Sequence, residues 1–131
     1  MTTRRASCRC GQLAAVIEGE PVRVSVCHCR SCQLRTGGAF AAQARFAKKA
    51  VTITGDWNVW ERMGGSGAKA SYRWCPACGA TVAYVNEGMD DVIAISLGAI
   101  VEGPIPAPEF SMYEDRKLPW VEIVGEGVVH D

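Results

Sequence analysis

Seven cysteines in three tight groups constrain this chain of 131 residues more than any other feature. The groups are Cys8-Arg9-Cys10-Gly11, Cys27-His28-Cys29-Arg30-Ser31-Cys32 and Cys75-Pro76-Ala77-Cys78-Gly79. An odd number cannot be fully paired in disulfides, and no apolar segment of the signal-peptide type follows Arg4 and Arg5. The expectation is a reducing, cytoplasmic setting in which the thiols stay available to a metal.

The third group reads as a zinc knuckle. A tight reversal through Cys75-Pro76-Ala77-Cys78-Gly79 aims both sulfurs at one ion, turns backbone N–H groups toward them and places Gly79 at positive φ. Tetrahedral zinc takes four ligands. Cys8 and Cys10, two apart on an extended segment, project from one face and supply the other pair. That leaves Cys27, Cys29 and Cys32, and three thiolates leave a coordination position for water or a substrate atom. Four plus three thus separates a closed structural zinc site from a second, open and functional one whose metal, with one protein ligand fewer, is the more labile. His28 points away from its neighbours on an extended segment, which assigns it a proton-relay or supporting role rather than ligation. Two other readings stay open. Cys75 and Cys78 could form a redox pair, although β-like Tyr72 to Trp74 and Thr81 to Val85 flank them, and Cys27, Cys29 and Cys32 could be purely structural.

Outside the cysteines the pattern is β. Val22–Val26, Val51–Thr54, Ala70–Trp74, Ile93–Leu97 and Val121–Ile123 alternate apolar and polar residues, which predicts half-buried strands. Turn signals separate them at Glu18–Pro21, Gly55-Asp56, Gly64–Gly67, Asn86–Gly88 and the proline-rich Gly103–Pro108. Only Ser31–Thr36 and Phe46–Lys49 suggest short helical turns. The apolar run Val92–Val101 is about half of the ~20 residues a membrane helix needs, and it contains Ser96 and Gly98. It predicts a buried strand. The length suits one domain spanning residues 1–131, and 48% apolar against 21% charged residues is a globular balance. Fourteen Lys and Arg offset 14 Asp and Glu, which disfavours nucleic acid unless Arg4, Arg5, Lys48, Lys49, Arg116 and Lys117 gather in space. Trp57, Trp60, Trp74 and Trp120 read as packing residues and His130 as a frayed end. The acidic groups Glu87/Asp90/Asp91 and Glu114/Asp115 read as surface charge.

These motifs resemble the glutathione-dependent formaldehyde-activating enzymes and their centromere-protein-V-like relatives. The resemblance runs through Ser7–Gly11, Cys27–Cys32, Thr36–Phe40, Ala44–Phe46, Trp74–Gly79, Ile95–Gly98 and Leu118–Glu122. It implies an Mss4-like fold, with folded antiparallel sheets joined by a structural zinc on Cys8, Cys10, Cys75 and Cys78. It also implies a catalytic zinc on Cys27, Cys29 and Cys32. The activity implied is that of a carbon–sulfur lyase resembling S-(hydroxymethyl)glutathione synthase, which joins glutathione, a small thiol, to formaldehyde, a small aldehyde.

In that setting Gln33, Arg35, Thr36, Gly37, Gly38 and Phe40 are candidates to wall the site. Arg35 could pair with a glutathione carboxylate while the glycines admit backbone N–H groups. A non-catalytic zinc scaffold for protein or nucleic acid is the alternative. Methionine sulfoxide reduction is disfavoured, because it needs a nucleophilic cysteine outside the structural site and none follows Cys78.

Overall fold

The computed structural model describes residues 1–64 and 67–131. Gly65 and Ser66, in the middle of the Gly64–Gly67 turn signal, lie outside the described residues. The strands are β1 (Thr3–Ser7), β2 (Ala14–Glu18), β3 (Arg23–Cys27), β4 (Ala41–Ala47), β5 (Val51–Thr54), β6 (Asn58–Met63), β7 (Lys69–Trp74), β8 (Thr81–Asn86), β9 (Val92–Ser96), β10 (Ile100–Glu102), β11 (Phe110–Met112) and β12 (Val129–His130). One α-helix, α1 (Arg30–Thr36), follows β3. The fold is mainly β, as the alternation predicts.

The strands form a four-stranded sheet in the order β10-β1-β2-β5 and an eight-stranded sheet in the order β12-β11-β3-β4-β9-β8-β7-β6. Both β4 and β9 end in a single 3-10 turn, Lys48–Ala50 and Leu97–Ala99, after which the chain enters the other sheet as β5 and β10. The run Val92–Val101 is therefore two strands with a corner rather than one buried strand. Its corner is the 3-10 turn Leu97-Gly98-Ala99, closed by the Ile100 N–H donating to the Leu97 carbonyl.

Between the sheets lies the core. Ala15 and Ile17 of β2 and Ile100 of β10 meet Val24, Ala44, Phe46, Ile93 and Ile95 of the larger sheet, all at most 6% exposed. Each large apolar side chain removed from water there contributes about 1.5–3 kcal/mol. Arg4 is buried with this core, and its guanidinium donates to the Pro104 and Gly19 carbonyls at 2.7 and 3.0 Å. It is thereby removed from any surface basic cluster.

Three expectations need correction. Val121–Ile123 keeps its alternation in burial but is not a strand, and the Val121 N–H closes a local turn on the Leu118 carbonyl at 3.0 Å instead of a ladder. The larger sheet is mixed: β11 pairs in parallel with β3 on one side and with β12 on the other. His130 is consequently not frayed, since β12 hydrogen-bonds along β11 and its ring lies 2.7 Å from the Glu114 carboxylate.

The second face of the larger sheet positions the chemistry. Along β3 and β4 the core-facing residues alternate with Arg23, Ser25, Cys27, Gln43 and Arg45. These polar residues face a recess beside α1 rather than open solvent: Ser25 and Gln43 are only 3% and 5% exposed. Further along the same face, Ala70, Tyr72, Tyr84 and Ala94 form a second small apolar cluster.

Candidate functional site

The chain brings the cysteines together in two clusters, one of Cys8, Cys10, Cys75 and Cys78 and one of Cys27, Cys29 and Cys32. Within each, the sulfurs lie within 4.8 Å of one another, so each could hold a metal ion. Cys8 and Cys10 lie just past β1 in the smaller sheet, Cys75 and Cys78 just past β7 in the larger one. The four-sulfur cluster therefore ties the two sheets together.

The local geometry follows from the knuckle sequence. Gly79 takes φ +82° and donates its N–H to the Cys75 carbonyl at 2.7 Å, a conformation a Cβ would strain. Leu13 N–H approaches Cys8 Sγ at 3.3 Å, and Gln12 Nε2 donates to Cys75 Sγ at 3.0 Å. Burial opposes ionisation of Cys75, but Gln12 foremost, then the backbone N–H groups of Cys78 and Ala77, bring its pKa down to about 6. An all-sulfur donor set in which Cys75 and Cys78 are drawn toward the thiolate fits a closed tetrahedral zinc centre.

The second cluster is built at the end of β3 and the start of α1. Cys29 is the helix N-cap, its sulfur accepting from Cys32 N–H at 3.4 Å. This turn folds Cys32 back beside Cys27. The Cys32 thiol is lowered to about 6, first through its hydrogen bond with Cys27 and, against the cost of burial, with help from Cys29 and Arg35. Cys27 moves upward because it holds the shared proton and is half-buried. Three soft donors, one already favouring the thiolate, fit a zinc ion with one position left over.

A cleft of about 710 Å³ opens on this cluster. Among the described residues lining it, three are arginines, Arg23, Arg45 and Arg62, and none is acidic. None of these arginines belongs to an ion pair among the described residues. Arg45 Nε and Gln43 Oε1 are buried without hydrogen-bond partners, while Gln43 Nε2 donates to Ser25 Oγ at 2.8 Å. A chain of zero net charge thus concentrates positive charge and orphaned polar atoms around three thiols. Tyr113, the sole non-glycine at positive φ (58°) among the described residues, also lines the cleft. Held strain of this kind occurs where a fold positions a functional group.

His28 is fully buried, with Nε2 2.9 Å from Ser111 Oγ and its ring 5.7 Å from Phe40. Burial lowers its pKa, so the neutral ring ties the cysteine loop to β11. It is not among the residues lining the cleft. Gln33 is likewise buried, bridging the His28 and Arg116 carbonyls at 3.0 and 3.1 Å.

Arg35 stands beside Cys32, its guanidinium 4.7 Å from the Tyr72 ring centre and 5.6 Å from that of Tyr84. Thr36 and Phe40 line a different cleft of about 740 Å³, next to Cys8, and Gly37 and Gly38 form the exposed end of α1. The strand-borne arginines, Gln43 and the tyrosines were missed by sequence reasoning. Their signal was the polar half of each alternating strand, ordinarily a solvated face. Trp60 and Trp120, expected to pack, are 53% and 76% exposed.

Glu114 joins the C-terminal strand to this region and gives a pH prediction. His130 first, then Ser111, hold its carboxyl below the ordinary 4.5. A folded pKa below the unfolded one contributes stability that is fully present above pH 4.5 and is lost as pH falls through the folded value. Amide exchange at Asp131, corrected for its intrinsic rate, is expected to accelerate relative to core amides below pH 4.5, and His130→Ala should shrink that step to the part Ser111 maintains. Equal protection on both sides of the step would contradict the coupling.

Fold and clusters together define a two-sheet β protein with two cysteine centres, one within the structure's sheet-to-sheet joint and one under an arginine-lined cleft. Residues 3–116 match the family described as glutathione-dependent formaldehyde-activating enzyme, and the chain belongs to this family. A crystal structure of a Rhodobacter sphaeroides protein from a structural-genomics programme shares the fold, with a TM-score of 0.56 and 18% identity over 74% of this chain and 87% of that one. No match was found among curated proteins. No helix among the described residues is long and apolar enough to cross a membrane.

Proposed function

We propose that this protein is a zinc-dependent carbon–sulfur lyase of the S-(hydroxymethyl)glutathione synthase type, working in the reducing cytoplasm. Cys8, Cys10, Cys75 and Cys78 would hold a structural zinc, and Cys27, Cys29 and Cys32 a second one. The observation that carries the reading is the three-thiol cluster beneath a cleft whose described lining residues offer arginines and no carboxylate. Zinc bound there supplies Lewis acidity, favouring the thiolate form of a thiol and polarising a carbonyl.

The chain's own residues do the rest. Arg23, Arg45 and Arg62 bind the carboxylates of glutathione through charge-assisted hydrogen bonds, the strongest that a recessed site can offer. Gln43 Oε1 accepts an N–H from the peptide backbone of the thiol. Tyr72 and Tyr84 close the floor and keep water from the sulfur. In the reaction a C–S bond forms, the carbonyl π bond breaks and the thiol proton ends on oxygen. No oxidant or reductant is consumed.

Exchange NMR on ¹³C-formaldehyde and glutathione, with zinc-loaded full-length chain, tests this directly. Adduct formation should accelerate in proportion to protein. Arg45→Gln should raise the KM for glutathione about tenfold or more, the loss of one hydrogen bond to a charged group, and should affect cysteamine, which carries no carboxylate, much less. Tight metal binding without any thiol binding would instead favour the scaffold reading.

A further inference from the structure

A second recess adjoins the thiol site, and formaldehyde does not account for it. Its volume is about 600 Å³, and its walls are Leu34 and Ser31 of α1, Trp60 of β6, Tyr72 and Trp74 of β7, Thr81 and Arg35. Tyr72 lines this recess and the arginine cleft alike. The aromatic rings run in a row from one to the other, Trp60 to Tyr72 at 5.9 Å and Tyr72 to Tyr84 at 4.9 Å. Leu34 and Trp60 remain 67% and 53% exposed at the rim, a large apolar area to leave in water.

The two recesses differ in chemistry. The cleft above Cys27, Cys29 and Cys32 offers cations and orphaned polar atoms, which suits the acidic thiol. Its neighbour offers aromatic faces. Arg35 lines the aromatic recess, beside Cys32 and with its guanidinium over Tyr72, the ring both recesses share, and its buried Nε has no hydrogen-bond partner. An N–H donor placed between a thiol site and an apolar recess is positioned for a carbonyl oxygen whose carbon faces the sulfur and whose substituent enters the recess.

We infer that, besides formaldehyde, the site takes a larger aldehyde with an aryl or bulky apolar substituent, seated between Leu34, Trp60 and Trp74 with its oxygen toward Arg35. This rests on the thiol–aldehyde reading and deepens it. Formaldehyde, one carbon and one oxygen, would leave the recess empty, whereas recesses of roughly 300–1,000 Å³ lined by aromatic side chains suit whole small molecules. The step stays balanced: the thiol sulfur bonds to the aldehyde carbon, the carbonyl π bond opens, the thiol proton passes to oxygen and a hemithioacetal results.

The test compares benzaldehyde with formaldehyde, using glutathione and the zinc-loaded full chain. Benzaldehyde binding is read by quenching of tryptophan fluorescence and its turnover by loss of carbonyl absorbance. The expected result is saturable quenching that Trp60→Ala and Leu34→Ser each weaken. The ratio of kcat/KM for benzaldehyde to that for formaldehyde should fall roughly tenfold or more in both variants, as for loss of an apolar substituent's contacts.

Acceleration with formaldehyde but not benzaldehyde overturns the inference and leaves the thiol–aldehyde reading standing. Acceleration with neither overturns both. An unchanged ratio in the two variants, both verified as folded by circular dichroism, also overturns it. So does sedimentation showing a wild-type dimer that Trp60→Ala dissociates, since the recess would then serve a second copy.

Discussion

Cys75→Ser is expected to leave the chain without a cooperative fold. Cys75 is fully buried, 3.7 Å from Cys10 Sγ, and belongs to the four-sulfur cluster that links the end of β1 in the smaller sheet to the end of β7 in the larger. Serine oxygen is a poor substitute for thiolate at zinc. Structural zinc in small domains contributes ~10–16 kcal/mol, against a typical net folding stability of ~5–15 kcal/mol. The apolar core between the sheets does not offset such a loss in a protein of this size. Zinc content should drop by at least one equivalent, near-ultraviolet circular dichroism should collapse and the urea transition should lose its sigmoid. A strong chelator should reproduce this slowly in the wild type. A variant that unfolds cooperatively at the wild-type midpoint would remove the structural role assigned to this centre.

Legibility in the sequence followed the local physics. Val51–Thr54 is a strand at the boundaries its alternation indicates, and the turn from Cys75 to Gly79 has the positive φ that its glycine suggests. Both outcomes depend on a few neighbouring residues. Long-range partners were harder. Val121–Ile123 alternates as well as Val51–Thr54 does, but a strand also needs an edge to pair with, and no sequence period reports one.

The same limit concealed the parallel β11–β12 pairing and the anchoring of His130. The cysteine clusters were legible because metal-ligand spacing is local within each pair. The cleft above them was not. Arg23, Ser25, Gln43 and Arg45 alternate with core residues as any solvated face would, and only the placement of α1 and of β6–β8 turns that face into a recess.

Cys29→Ser is expected to have the opposite profile from Cys75→Ser: folded, but inactive. At the N-cap of α1 the sulfur of Cys29 accepts only one long bond, from Cys32 N–H at 3.4 Å, and serine is among the preferred residues at that position. The cluster also lies on the face of the larger sheet turned away from the main core, so its loss opens no cavity there. The urea midpoint should move little. A metal that polarises the reacting groups supplies several kcal/mol of transition-state stabilisation, and each ~1.4 kcal/mol is tenfold in rate, so kcat/KM should fall roughly 10³-fold.

Zinc content should fall by one equivalent with the four-sulfur centre still filled. Glutathione should still bind, because Arg23, Arg45 and Arg62 remain in the cleft. Retained thiol binding with lost turnover would divide the site into an arginine wall that selects the thiol and a cysteine cluster that reacts it. Full activity in a Cys29→Ser protein carrying a single zinc would place the chemistry elsewhere on the chain.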